Sequence, residues 1–302
     1  MKILNVVTQK GGTGKSETVK NIAYGLSKKG LKTLVVDLDP QANTTSTLLK
    51  INKRSDKDFL DIMKGMYDFT TRNRKTTGLE GIEVIHNCMK KDTSDYDVSD
   101  VLLKPTLINE AIKPTDYKNL DILPASIKLV ETDMKLKTSC MKSDTRLDLA
   151  LQRVADTYDV CVIDNSPVIN AITINGVTSC RNEGDLVIIP IKIDDASLEG
   201  VDVTLQQMLE ILSYSSFLSF DFKLLFTMRN RTRIEADVEE TLRYMFPKRC
   251  FNSSIRYQAK PIVKASLNKK ILLEAEENLK NPNGVTNDYV ALIDEIYNYY
   301  KS

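Results

Sequence analysis

The chain has 302 residues, of which 42% are hydrophobic and 27% charged, with a formal net charge of +1. This is an ordinary globular balance with ample core for one large or two small domains. A near-neutral total means that nucleic acid could be held only by a locally basic face. Five dispersed cysteines without a CxxC pair, and one histidine, His86, argue against a disulfide framework, a zinc site or a histidine triad, and fit a reducing cytosol.

The apolar run at residues 3–7 (ILNVV) predicts a strand, and Lys10-Gly11-Gly12-Thr13-Gly14-Lys15-Ser16 follows it, ahead of a helix-compatible segment. That order suits a phosphate-binding loop. Glycines at 11, 12 and 14 let successive N–H groups turn toward an anion, and the helix N-terminus adds its positive end. Lys15 is then placed to reach the β- and γ-phosphates of a nucleotide, and the Ser16 hydroxyl to ligate Mg²⁺. A loop starting at residue 9 leaves no place for a signal peptide, and no 18-residue apolar run offers a membrane span. Residues 17–29 carry Val19, Ile22, Ala23 and Leu26 at helical spacing, with Gly30 as the stop.

Leu34, Val35 and Val36 predict a buried parallel strand ending in Asp37 and Asp39, at the end where doubly wound sheets keep their ligand chemistry. Residues 51–95 are polar and mixed in charge. They read as an inserted subdomain or lid edge, with Arg72, Arg74 and Lys75 either solvated or touching DNA or a partner. A strand is expected near 119–123, a helix from Ser126 and an amphipathic helix over 144–158. Val160, Cys161, Val162 and Ile163 form the next buried strand, with Asp164 at its carboxyl end. Residues 186–191 (LVIIPI) give another strand, and a helix opened by Asp195 or Ser197 should follow.

Residues 193–222 hold six acidic side chains and no basic one, whereas 223–270 hold six Lys and six Arg against four acidic residues. Such segregation predicts a basic face, in which Lys248, Arg249, Lys269 and Lys270 lie away from the motifs. The final helix, over 285–300, is acidic and rich in tyrosine. Strand–helix alternation throughout predicts an α/β fold, doubly wound around a mostly parallel sheet, in a single domain over 1–302.

Lys10 before a Gly-Gly pair, with Gln9 where the usual loop starts on glycine, resembles the deviant Walker A, KGGxGK[ST], of the ParA/MinD group of ATPases. VDLDPQAN (36–43) resembles that group's VDxDPQxN. Asp164 falls at the Walker B position, where the group usually reads DCPP; Asp164 and Pro167 remain, with Asn165-Ser166 between them. The resemblance covers nearly the whole chain outside 51–95, a stretch that shorter members mostly lack. It implies that Lys10 reaches across a homodimer to the partner's phosphates. It also implies that Asp39 positions the attacking water, while Asp37 and Asp164 support the Mg²⁺ shell beside Ser16. Met228, Arg229, Arg256 and Gln258 are implied near the adenine of ATP.

The expected function is a partition ATPase, cytoplasmic and nucleoid-associated, binding non-specific DNA as an ATP dimer and stimulated by a ParB-like centromere-binding protein. No membrane partner is expected. Glu17 stands where relatives usually carry a threonine that donates to the α-phosphate; a carboxylate there is expected to point outward. A MinD-like membrane ATPase would need a basic amphipathic C-terminal helix, but residues 286–300 carry Asp288, Asp294 and Glu295 and no Lys or Arg. A protein-tyrosine kinase of the same group would account for Tyr297, Tyr299 and Tyr300, but not for Lys10 or the DLDPQ segment.

Overall fold

The computed structural model describes residues 1–50, 95–139, 142–193, 220–230 and 232–301, with positions 202, 203, 206 and 209. Its seven strands are β1 (Lys2–Val6), β2 (Thr33–Leu38), β3 (Lys113–Pro114), β4 (Leu120–Leu123), β5 (Val160–Asn165), β6 (Asp185–Lys192) and β7 (Phe220–Thr227). They form one sheet in the order β3-β4-β2-β5-β1-β6-β7. All neighbours run parallel except the β3–β4 pair at one edge.

The helices are α1 (Lys15–Lys28), α2 (Asn43–Leu48), α3 (Val98–Leu103), α4 (Ile108–Ala111), α5 (Leu129–Ser139), α6 (Arg146–Leu151), α7 (Ala171–Thr178), α8 (Arg233–Met245), α9 (Ala259–Leu267), α10 (Leu272–Glu276) and α11 (Gly284–Lys301). They cover both faces of the sheet, which is why β2 and β5 are buried along their whole length and are apolar up to their carboxylates but for Thr33. Successive side chains alternate between the faces. Ile3, Leu34, Val36, Cys161, Ile163, Val187 and Ile189 share one core with α3, α5, α6 and α7. Leu4, Val6, Val35, Val162, Leu186 and Ile188 share the other with α1, α10 and α11.

Two element boundaries differ from expectation. The helix expected over 144–158 spans only Arg146–Leu151, then tightens into a 3-10 turn at Gln152–Val154. The chain leaves the helix early because Asp159 N–H donates to Lys32 O at 2.8 Å, while the Asp159 carboxylate accepts from Lys32 N–H at 2.7 Å. These bonds set the entry of β5 beside β2. The helix expected from Ser126 begins at Leu129, because the Ser126 hydroxyl accepts from Lys128 N–H at 3.2 Å and caps the turn before it. The insertion expected over 51–95 lies almost entirely outside the described residues, as does the helix opening at Asp195 or Ser197.

Candidate nucleotide site

Three parallel strands deliver their carboxyl ends side by side. In the sheet register Val6 of β1 is opposite Asp164 of β5, and Asp37 of β2 is opposite Asp164 from the other side. The loop after β1 turns back through Gly12 and Gly14 at φ 76° and 79°, a left-handed conformation that favours glycine. A Cβ added at Gly11 or Gly12 would meet nothing within 4 Å. The space beside the loop is therefore open, and a ligand can lie against bare backbone.

Gly14 caps α1. The first intrahelical bond runs from Thr18 N–H to Gly14 O at 2.9 Å, so the N–H groups of Lys15, Ser16 and Glu17 are terminal donors directed out of the helix. The Lys15 ammonium donates to Lys10 O at 3.1 Å. Burial lowers the Lys15 pKa, and the nearby Asp164 and Asp39 carboxylates counter that shift. The loop is tied to the sheet from below by Thr227 Oγ1, which donates to Thr13 O at 2.9 Å.

Asp37 and Asp164 are completely buried. Burial pushes both carboxyls up, and the charge of Asp164 pushes Asp37 further. Two threonines at the start of α2 hold them: Thr44 Oγ1 donates to Asp164 Oδ2 at 2.6 Å, and Thr45 donates its N–H and hydroxyl to Asp37 Oδ2 at 2.9 and 2.8 Å. Ser16 also hydrogen-bonds to Asp164. Asp37 Oδ1 accepts from Asp39 N–H at 3.1 Å, and Asp39, partly exposed, accepts from Gln41 N–H at 2.9 Å. Sequence reasoning missed Thr44 and Thr45; their only signal was the Asn-Thr-Thr run that starts at Asn43, shortly after Asp39.

The donor set fits a triphosphate with Mg²⁺. Asp164 Oδ1 is a fully buried acceptor with no hydrogen-bond partner, a costly state that a cation or its bound water relieves. Among the described residues no cluster of three or more carboxylate, imidazole or thiol groups forms a closed metal cage. Ser16 and Asp164 supply a hydroxyl and a carboxylate, which suits a cation that keeps its waters and completes its shell with phosphate oxygens.

Met228 adopts φ 54°, and its methyl lies 3.8 Å from the position a Cβ on Gly14 would take. Arg229 and Arg256 pair through backbone, with Arg229 N–H donating to Ile255 O at 3.0 Å and Tyr257 N–H to Arg229 O at 2.9 Å. Of the four residues expected around the base, Met228 lies against the loop, Arg229 and Arg256 are joined by backbone, and three have internal partners. Arg229 pairs with Glu239, Arg256 donates twice to Asp288 at 2.7 Å, and Gln258 Oε1 accepts from Val285 N–H at 2.8 Å.

Glu17 does not point outward. Its carboxylate folds back along α1, accepting from Lys20 Nζ at 2.7 Å and Asn21 Nδ2 at 2.8 Å. Asn165 is buried and donates to Asn5 Oδ1 and, at 3.0 Å, to Val6 O.

The chain matches the family model of the AAA domain (AAA_31) over residues 1–219. It is 28% identical over 255 residues to the sporulation initiation inhibitor protein Soj of Bacillus subtilis (strain 168), covering 84% of this chain and 83% of that protein. It is also 28% identical over 254 residues to the chromosome partitioning protein ParA of Myxococcus xanthus, covering 83% and 73%. Among solved structures, cobyrinic acid a,c-diamide synthase from Mycobacterium smegmatis, with bound ATP analog and magnesium, shares the fold at TM-score 0.70 and 22% identity, over 100% of this chain and 96% of that one. Matched over more than half its length, with the KGG loop and its carboxylates set at adjoining strand ends, the chain belongs to the AAA domain family and is of the ParA/Soj type.

Proposed function

We propose that this chain is a partition ATPase whose ATP-bound homodimer holds non-specific DNA in the cytoplasm and hydrolyses ATP slowly until a ParB-like centromere-binding protein accelerates it. One domain would carry this activity, with residues 51–95 as an insertion. The observation that carries the reading is the convergence of Lys15, Asp37 and Asp164 at three adjoining strand ends, with Asp39 at the mouth. The names of the Bacillus and Myxococcus relatives support the biological role.

The terminal N–H groups of α1 and the glycine loop bind the phosphates, and Lys15 leaves Lys10 O to neutralise the β- and γ-oxygens. Lys10 acts across the dimer on the partner's phosphates. Asp39 accepts a hydrogen bond from water and aims its oxygen at the γ-phosphorus; the P–O bond to the β-phosphate breaks, giving ADP and phosphate. Ser16, with Asp164 and Asp37 in support, would hold Mg²⁺, which would supply charge neutralisation to the transferring phosphate. All of this is positioning and electrostatics.

The C-terminal helix bears on the membrane-bound alternative. The apolar side of α11 (Val285, Tyr289, Leu292, Ile293, Ile296) is buried in the core. Among the described residues no helix is long and apolar enough to cross a membrane.

The decisive experiment is binding to non-specific duplex DNA with ATP, ADP or no nucleotide, over a salt series. ATP-dependent binding with a steep salt slope is expected. Of the four basic residues singled out above, Arg249 pairs with Asp221 and stacks on Phe222, and Lys269 donates to Ser46 Oγ at 3.0 Å. Lys248 and Lys270 are exposed. Replacing these two with alanine should weaken binding equally on all sequences and flatten the log–log slope by about 0.9 per lost contact. DNA binding indifferent to ATP would overturn the proposal.

A further inference from the structure

The first turn of α1 contains an anion of its own. Glu17 is the third residue after the Gly14 cap, and its N–H is one of the three terminal donors that face the bound phosphate. At that position a carboxylate is drawn toward the positive helix end, and a glutamate three residues after the cap commonly reaches back to it. A free Glu17 side chain would therefore compete with a triphosphate for the same donors and repel it.

Two side chains one turn further on prevent this. Lys20 Nζ lies 2.7 Å from Glu17 Oε2, and Asn21 Nδ2 donates to Glu17 Oε1 at 2.8 Å. Both carboxylate oxygens are thus satisfied on the side away from the loop. The pair is largely enclosed, with side-chain exposures of 8% for Lys20 and 15% for Glu17, so solvent screens it less than a surface ion pair. Asn21 is itself fixed: its Oδ1 accepts from Leu273 N–H at 3.1 Å at the start of α10, and its amide also donates to Glu17 O at 2.8 Å. Tyr289 of α11 closes the same side, its hydroxyl 3.4 Å from Thr18 Oγ1. The retracted carboxylate is held by α1 from one side and packed by α10 and α11 from the other.

We propose that Lys20 is a positioning residue for nucleotide binding: with Asn21 it retracts and neutralises the Glu17 carboxylate, so that the N-terminus of α1 stays open to phosphate. This rests on the nucleotide reading of the loop. Removing Lys20 alone releases an anion into the site. Removing both charges leaves a first turn without a carboxylate.

The test is equilibrium titration of full-length protein with fluorescently labelled ATP and ADP in the presence of Mg²⁺, for wild type, Lys20→Met, Glu17→Gln and the double variant. Methionine keeps the buried stem of Lys20, and glutamine keeps the bond to Asn21. Lys20→Met should weaken ATP binding roughly tenfold or more, the order expected for like charges a few ångströms apart in a partly solvated site. The loss should be smaller for ADP, which carries less charge, and should shrink as salt rises. The double variant should recover to within about twofold of wild type, and Glu17→Gln alone should bind ATP at least as tightly as wild type.

Equal losses for ATP and ADP, no rescue by the second substitution, or weaker ATP binding by Glu17→Gln would each overturn the proposal. If Lys20→Met does not fold, the Glu17→Gln result and its ATP-over-ADP preference decide. Absence of nucleotide binding by the wild type would instead refute the reading of the loop itself.

Discussion

Gly176, in the middle of α7, lies directly behind the two acidic strand ends. A Cβ added there would sit 2.5 Å from Asn165 Oδ1 and 3.1 Å from Leu38 Cδ1. Asn165 follows Asp164 in the chain, and Leu38 lies between Asp37 and Asp39. Gly176→Ala therefore pushes on both carboxylate-bearing strands from outside the site. Helix propensity alone favours alanine by about 0.8–1 kcal/mol. Forcing an extra methyl into a closed contact costs about 1–3 kcal/mol. Asn165 cannot swing away freely, because its amide donates to Asn5 Oδ1 and Val6 O.

The overpacking term should win by about 1 kcal/mol, lowering the melting temperature by about 2–4 °C for a chain near this size. In an Asn165→Ala background the first contact vanishes and only the flexible end of Leu38 must give. Gly176→Ala should then become neutral or stabilising, a coupling of about 1–3 kcal/mol. Thermal unfolding of the four-member cycle reads this directly, and ATP turnover of Gly176→Ala, expected to fall, reads the push on the carboxylates. A single Gly176→Ala variant about 1 kcal/mol more stable than wild type, with unchanged turnover, would refute the close packing described here.

Lys10→Ala should bind ATP as a monomer but lose ATP-dependent dimerisation; light scattering with and without ATP checks this, and an undiminished dimer would assign Lys10 another role. Asp39→Ala should retain ATP binding and dimerisation yet turn over at least about a hundredfold more slowly, the scale of a lost water-orienting base. Wild-type turnover in that variant would make Asp164 the next candidate. The Asp37 carboxyl, raised by burial and then by Asp164, should also set a pH dependence. With a folded pKa above the unfolded one, the native chain keeps a proton that the unfolded chain has released. Stability without ligand should therefore fall as pH rises from the ordinary carboxylate range toward the folded pKa, by up to about 1.4 kcal/mol per pH unit for one proton. Melting temperatures of wild type and Asp37→Asn between pH 5 and 8 should diverge accordingly, with the variant gaining on wild type at the alkaline end.

What the sequence disclosed were the features governed by local rules. The loop glycines, the apolar runs of β2 and β5, and the carboxylates ending those strands each follow from neighbours in the chain. The contacts that complete the site are long-range. Thr44 reaches Asp164 across 120 positions, and Thr227 reaches Thr13 across 214; no periodicity encodes such pairs. Glu17 was misjudged for a different reason. Repulsion from phosphate suggested an outward side chain, whereas Lys20 and Asn21, both visible one turn away, offered nearer partners. The helix expected over 144–158 failed because its pattern reports only which side faces the core. It carries no record of the paired bonds between Asp159 and Lys32, one of them through the Asp159 carboxylate, that follow its end.

The packing of α11 on α1 has a consequence for how the protein is made. Tyr289, Leu292, Ile293 and Ile296 share a core with Val19, Ile22 and Leu26, and a side chain at Gly25 would collide with Ile293. The helix that carries the phosphate loop therefore finds its covering far along the chain, Thr18 and Tyr289 being 271 positions apart. A chain lacking α11 would expose that apolar flank and have no firm seat for Lys15 and Ser16. Competence to take up nucleotide should thus wait on the docking of α11, and chains cut short of it should be material for proteolysis instead of a half-built ATPase.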